Sequence, residues 1–107
     1  MIPFIDLKKL NALYRNEMIE AVTDVIDSGW YIRGSQVTAF EQEFADYCGT
    51  KYSIGVANGL DALILILLAY KELGVMKDGD EVIVPSVTYI ASILAISHAK
   101  LVPILVE

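Results

Sequence analysis

Between Gly55 and Leu68 the chain reads GVANGLDALILILL, and at Asn58-Gly59 an alternating, strand-like segment gives way to an almost unbroken apolar run. A strand that passes straight into a helix leaves the first N–H groups of that helix unpaired beyond the strand end, where the helix dipole favours an anion. Glycine lets the backbone come close to a ligand, and Asn58 has the side chain to cap the helix and orient the turn. The chemistry such a junction offers is phosphate binding through backbone donors. The same residues also describe an ordinary capped turn with Asp61 complementing the dipole, because one glycine is a weaker signal than a glycine-rich phosphate loop.

Two further stretches carry residues suited to a site. In PSVTYIASILAI, Pro85 to Ile96, Ser86, Thr88 and Tyr89 follow a buried strand and fall at its carboxyl end, where α/β proteins place their ligands. Tyr89 has a ring face to offer a flat aromatic cofactor, or it is a core tyrosine with a satisfied hydroxyl. In SGWYIRG, two glycines hold Trp30, Tyr31 and Arg33 on a loop between helices, the kind of segment on which function concentrates, although the two aromatics would serve equally as a cover for the core.

The elements that must position these residues alternate. Leu10, Leu13 or Tyr14, Met18, Ala21, Val25 and Ile26 recur at helical spacing up to Ser28, with Gly29 as a stop. Ser35 is suited to cap a second helix whose stripe is Val37, Phe40, Phe44 and Tyr47, ending at Gly49. KYSIGVA reads as a strand. Gly59 opens a third helix that runs to about Leu73 and is closed by Gly74, EVIVP is a short strand stopped by Pro85, residues 88–99 suit a fourth helix, and KLVPILVE is a further strand that reaches Glu107. This alternation predicts an α/β fold with at least three strands in one mainly parallel sheet, and with the helix Leu60 to Leu73 among its most buried elements.

Composition narrows the function classes. The 107 residues have room for one modest domain; the net charge of −6 supplies no basic patch, which argues against a nucleic-acid partner. The apolar run Leu60 to Tyr70 is interrupted by Asp61 and is shorter than the ~20 residues of a membrane span, so no membrane partner is expected. MIPFIDLKKL lacks the apolar core of a signal peptide. Cys48 is the only cysteine and His98 the only histidine, which gives no thiolate metal cluster and suits a reducing cytoplasm. No metal site is expected.

The order IPFIDL, SGWYIRG, FEQEFADYCGTKYSIGVANGLDAL and DEVIVPSVTYIAS resembles the N-terminal part of the DegT/DnrJ family of pyridoxal phosphate-dependent sugar aminotransferases, over essentially the whole chain. The resemblance implies the N-terminal portion of the large domain of an aspartate-aminotransferase-like enzyme, residues 1–35 being an N-terminal helix and active-site loop. It implies pyridoxal 5′-phosphate as cofactor, its phosphate held by backbone N–H groups at the turn matching Asn58, Gly59 and Leu60, and its ring stacked on the aromatic matching Tyr89. Trp30, Tyr31 and Arg33 fall in the region near the family's sugar-nucleotide site, often at a dimer interface. The implied reaction is transamination of a keto-deoxysugar linked to a nucleoside diphosphate such as dTDP, with glutamate as amino donor. The implied setting is amino-sugar, polysaccharide or lipopolysaccharide O-antigen biosynthesis, in a cytoplasmic homodimer.

Two departures qualify the match. Many family members carry Ser or Thr where this chain has Leu60, so one hydroxyl donor is missing and the helix N-terminus must supply the field. The resemblance also implies that the family's Schiff-base lysine, and the aspartate that pairs with the pyridine nitrogen, lie beyond Glu107. None of Lys8, Lys9, Lys51, Lys71, Lys77 and Lys100 has the Schiff-base context, so no catalytic residue is assigned between Met1 and Glu107, and the segment by itself is expected to be inactive. Two other readings remain at this level: a small non-catalytic α/β module that binds an anion or a protein, and a lysine-less dehydratase of the same cofactor family.

Overall fold

The computed structural model describes residues 4–107, which form two compact units meeting in sequence between Ile54 and Gly55. Ile2 and Pro3 of the IPFIDL motif lie outside the described residues.

The first unit holds two helices, α1 (Leu7–Ser28) and α2 (Ser35–Cys48). Asp6 caps α1 through its carboxylate, which accepts from the Lys9 N–H at 3.0 Å, and Gly29 ends the helix in the left-handed region at φ 65°. Gly49 ends α2 in the same way. The start of α2 differs from expectation: Gly34 occupies the cap position, Ser35 is already helical, and no side chain caps this end. A Cβ on Gly34 would lie 2.8 Å from the Trp30 carbonyl oxygen, so close packing against the loop fixes glycine there and moves the boundary one residue earlier. The aromatic stripe of α2 forms as its spacing predicts, with Phe40 and Phe44 stacked at 5.6 Å and Phe44 and Tyr47 at 6.5 Å.

The second unit opens with residues in neither helix nor strand and continues as α3 (Gly59–Glu72), β1 (Glu81–Pro85), α4 (Ile90–His98) and β2 (Val102–Val106). Strands β1 and β2 are parallel neighbours in the register Glu81↔Val102 through Pro85↔Val106, joined through α4 as a βαβ crossover. Glu107 follows directly on β2 and is exposed, one residue past the strand that was expected to include it. Val84, Ile96, Ala99 and Leu101 form the core, with Leu67, Met76, Val82 and Ile93 packed against it. The α/β class with a parallel sheet is therefore present. Among the described residues no helix is long and apolar enough to cross a membrane.

Two expectations are corrected. Among the described residues the sheet has two strands, not three, because residues 51–57 enter neither side of the β1–β2 ladder. Alternating apolar residues favour an extended backbone, but a strand exists only where a neighbouring backbone completes its ladder. The helix α3 is also not among the most buried elements: none of its residues is fully buried, whereas α4 buries Ala95 and Ile96. Leu67 reaches the core, but Leu65, Ile66 and Tyr70 remain about half exposed. An all-round apolar helix signals that cover is required, and does not itself supply it.

Candidate functional site

The junction at Asn58 is a capped helix start. The Asn58 side-chain oxygen accepts from the Asp61 N–H at 3.0 Å, its amide nitrogen donates to the Asp61 carboxylate at 2.9 Å, and the Asn58 carbonyl accepts from the Ala62 N–H at 3.1 Å. This reciprocal clamp uses the third and fourth N–H groups. Those of Gly59 and Leu60 have no hydrogen-bond partner among the described residues, so two backbone donors remain at the positive end of the helix.

Gly59 has no left-handed φ, and a Cβ built on it would meet no atom within 4 Å. Neither its backbone conformation nor the packing of this unit calls for glycine. The space that its missing side chain leaves is open to an approaching group, beside two unused donors. That arrangement fits an anion such as a phosphate.

Tyr89 stands across the same depression. It is the N-cap residue of α4, in extended backbone at φ −67° and ψ 137°, and its side chain is 80% exposed. Asn58, Gly59, Leu60 and Leu63 from α3 and its cap, together with Tyr89, Ile90, Ala91, Ser92 and Leu94 from α4, line one open groove of about 810 Å³. The structure thus brings together the four residues singled out for cofactor binding. Its donors lie at one helix start, an aromatic face at the other, and the leucines make the remaining wall apolar, a combination suited to a flat ring carrying an anionic substituent. Ser92 lines the groove although the sequence reading did not single it out; its only signal there is its place in the first turn of α4, three residues after Tyr89.

The loop of the first unit has its own smaller pocket. It is a partly open depression of about 180 Å³ where the end of α1, the loop and the start of α2 converge, and Trp30 and Tyr31 line it, whereas Arg33 does not. The Trp30 indole N–H donates to the Ile32 carbonyl at 2.9 Å, and the Trp30 backbone N–H donates to the Ser28 hydroxyl at 3.1 Å. These bonds fasten the polar edge of Trp30 within the loop and leave much of its ring exposed. Arg33 adopts φ 51°, an uncommon left-handed conformation for a residue with a side chain.

No lysine lies in the groove lining, and neither does Glu107, the carboxylate that follows β2. Lys71 sits near the far end of α3, about 18 Å along the helix from Gly59 at the standard rise per residue. Its ammonium donates to the Ala99 carbonyl at 3.0 Å and forms an ion pair with Asp78. The hydrogen bond from Lys71 is the main reason that the Asp78 carboxyl is held below its ordinary range; the positive charges of Lys71 and Lys100 add to the effect, and partial desolvation opposes it. Lys71 is thereby committed to joining α3 to the turns before β1 and β2.

Comparison with known proteins supplies a context for this geometry. Residues 13–107 match the DegT/DnrJ/EryC1/StrS aminotransferase family. Over 107 residues the chain is 60% identical to a dTDP-3-amino-3,6-dideoxy-alpha-D-galactopyranose transaminase of Aneurinibacillus thermoaerophilus, covering 100% of this chain and 28% of that protein. Its fold superimposes on a DegT DnrJ EryC1 StrS aminotransferase from Brucella abortus with a TM-score of 0.91 and 32% identity, over 100% of this chain and 28% of the other. It also resembles the E. coli GDP-4-keto-6-deoxy-D-mannose-3-dehydratase with bound hydrated PLP, with a TM-score of 0.76 and 30% identity over 83% of this chain and 23% of that one. The chain thus spans about a quarter of the length of these relatives, from 23% to 28%.

Proposed function

This chain belongs to the DegT/DnrJ/EryC1/StrS aminotransferase family, and on that basis we propose that the whole protein carrying it transaminates a dTDP-linked keto-deoxysugar, with pyridoxal phosphate as cofactor and glutamate as amino donor. The observation that carries the reading is the groove in which Gly59 and Leu60 N–H groups without partners face the same space as the exposed Tyr89 ring.

Within this reading the two N–H groups and the positive end of α3 hold the cofactor phosphate, Asn58 keeps the turn in shape through its clamp on Asp61, and Tyr89 packs against the pyridine ring. Leu60, Leu63 and Leu94 form the apolar wall that limits water around the ring. The cofactor supplies the electron sink for moving an amino group from donor to ketone. The lysine and the aspartate that the chemistry also needs are assigned to the part of the whole protein beyond Glu107, as is consistent with the engagement of Lys71 elsewhere.

Trp30, Tyr31 and Arg33 are assigned to the sugar nucleotide. The exposed Trp30 and Tyr31 rings offer stacking surface and Arg33 a fixed positive charge for a diphosphate. The whole protein acts as a cytoplasmic homodimer, with the loop 29–34 near a partner's active site, and it serves the synthesis of amino sugars for surface polysaccharide such as lipopolysaccharide. The dehydratase among the structural relatives makes removal of a hydroxyl group the second reading.

One incubation separates the two. The whole protein with pyridoxal phosphate, glutamate and a dTDP-linked keto-6-deoxysugar is expected to give a product in which mass spectrometry finds an amine in place of the ketone, with 15N from labelled glutamate. A product that has lost a hydroxyl group and gained no nitrogen identifies a dehydratase, and an unchanged sugar refutes both. Sedimentation of the whole protein as a monomer at micromolar concentration would contradict the dimer.

A further inference from the structure

Tyr89 is held in an unusual way for a ring expected to bear on a ligand. Its hydroxyl makes no hydrogen bond among the described residues, and its side chain is largely exposed. The position of the ring therefore depends on the backbone at Tyr89, which is the uncapped N-cap residue of α4. Ser92 bonds both to the Tyr89 backbone and to the side chain of the residue before it. Its N–H donates to the Tyr89 carbonyl at 3.0 Å, and its hydroxyl lies 3.1 Å from the hydroxyl of Thr88, the residue before Tyr89. Neither hydroxyl bonds to anything else among the described residues, and Ser92 itself lines the groove.

From this geometry we propose that the Thr88–Ser92 hydroxyl pair is a positioning device that fixes the Tyr89 ring at the angle needed to stack on the bound cofactor. The pair is not a cap, because it satisfies no backbone N–H of α4, but it ties the residue before the N-cap to the first turn of the helix. In an ordinary cap the side chain of the N-cap residue reaches forward to the helix; here that side chain is committed to the groove, and the preceding residue makes the bond to the first turn instead. Residues 88 and 92 are the staple, and residue 89 is the part they hold.

The proposal rests on the reading that Tyr89 stacks on pyridoxal phosphate, and the test keeps the two apart. In the whole protein, Thr88→Val and Ser92→Ala each remove one hydroxyl at nearly constant shape. Each is expected to weaken pyridoxal phosphate binding by about five-fold, the typical effect of losing one hydrogen bond, and to change the circular dichroism of the bound cofactor's visible band, which reports how the ring is held. Because both variants break the same bond, the double variant is expected to lose no more than either single one. Thr88→Ser and Ser92→Thr, which retain a hydroxyl, are expected to restore both signals. Far-ultraviolet circular dichroism establishes that each protein is folded, and the rescuing pair keeps the test decisive if either hydroxyl-free variant is not.

Wild-type affinity and an unchanged cofactor band in both hydroxyl-free variants, beside weakened binding in Tyr89→Ala, would overturn the staple alone. Additive losses in the double variant would overturn it as well, because they would mean two independent roles. Normal cofactor binding by Tyr89→Ala would overturn the stacking reading and the staple with it.

Discussion

Replacing Gly59 by valine tests the phosphate cradle at the point where structure and function separate most cleanly. Gly59 is the first residue of α3, has no left-handed φ, and a Cβ there meets no atom within 4 Å, so the folded chain has room for the new side chain. The unliganded variant is expected to melt within about 0.5 kcal/mol of the parent, as an ordinary exposed substitution does. The added atoms fill the space through which a phosphate must approach the Gly59 and Leu60 donors. A hydrogen bond to a charged group is worth about 1.5–3 kcal/mol. Displacing the phosphate from one of the two donors therefore costs about 2 kcal/mol, or roughly 30-fold in Kd. Gly59→Ala, with less bulk, is expected to fall between parent and valine variant. Titration of the whole protein with pyridoxal phosphate, followed by absorbance, reads the loss directly. A folded Gly59→Val protein with the parent's affinity would refute the cradle and leave Asn58-Gly59 as a capped turn.

Other outcomes follow from the same geometry. Leu60→Thr, which restores a hydroxyl beside the two N–H donors, is expected to bind pyridoxal phosphate as tightly as the parent or slightly better; a clear loss of affinity would show that the leucine contributes packing the phosphate reading ignores. Asn58→Ala removes both bonds to Asp61 and is expected to cost about 1 kcal/mol of stability in denaturant unfolding, the usual value of an N-cap. Asp78 has a folded-state pKa below its unfolded one, so its contribution is present above the unfolded carboxylate value of about 4 and is lost as pH falls through the lower folded value. Asp78→Asn is accordingly expected to flatten the decline in melting temperature between neutral pH and pH ~3, and a decline as steep as the parent's would show that Asp78 contributes nothing to it.

The boundaries that the sequence reveals are those with a local cause. Gly29 and Gly49 stop their helices in the left-handed region, and Pro85 closes β1, because each of these events is decided by the residue's own backbone preference. Asn58 as a cap is legible for the same reason, its partner being only three residues away. What the sequence does not disclose depends on distant neighbours. The segment 51–57 reads as a strand but lacks a place in the ladder, and the apolar face of α3 reads as buried but is covered only in part. Gly34 takes the cap from Ser35 through a contact with Trp30 that no propensity encodes. At the site, each residue type is visible in the sequence, and family resemblance gives Asn58 and Tyr89 related tasks. Their convergence on one groove requires the packing of α3 on α4, and the role of Ser92 emerges only from its distance to Thr88.

If this segment helps to hold a cofactor that accepts an amino group from one substrate and delivers it to another, the two half-reactions can be watched separately. The visible absorbance of the whole protein loaded with pyridoxal phosphate reports both. The band is expected to disappear when glutamate is added alone, and to return when the glutamate is removed and a dTDP-linked keto-6-deoxysugar is supplied. A protein that binds the cofactor but keeps its band unchanged in glutamate, or that loses the band and does not recover it with the sugar nucleotide, would contradict the proposed transamination.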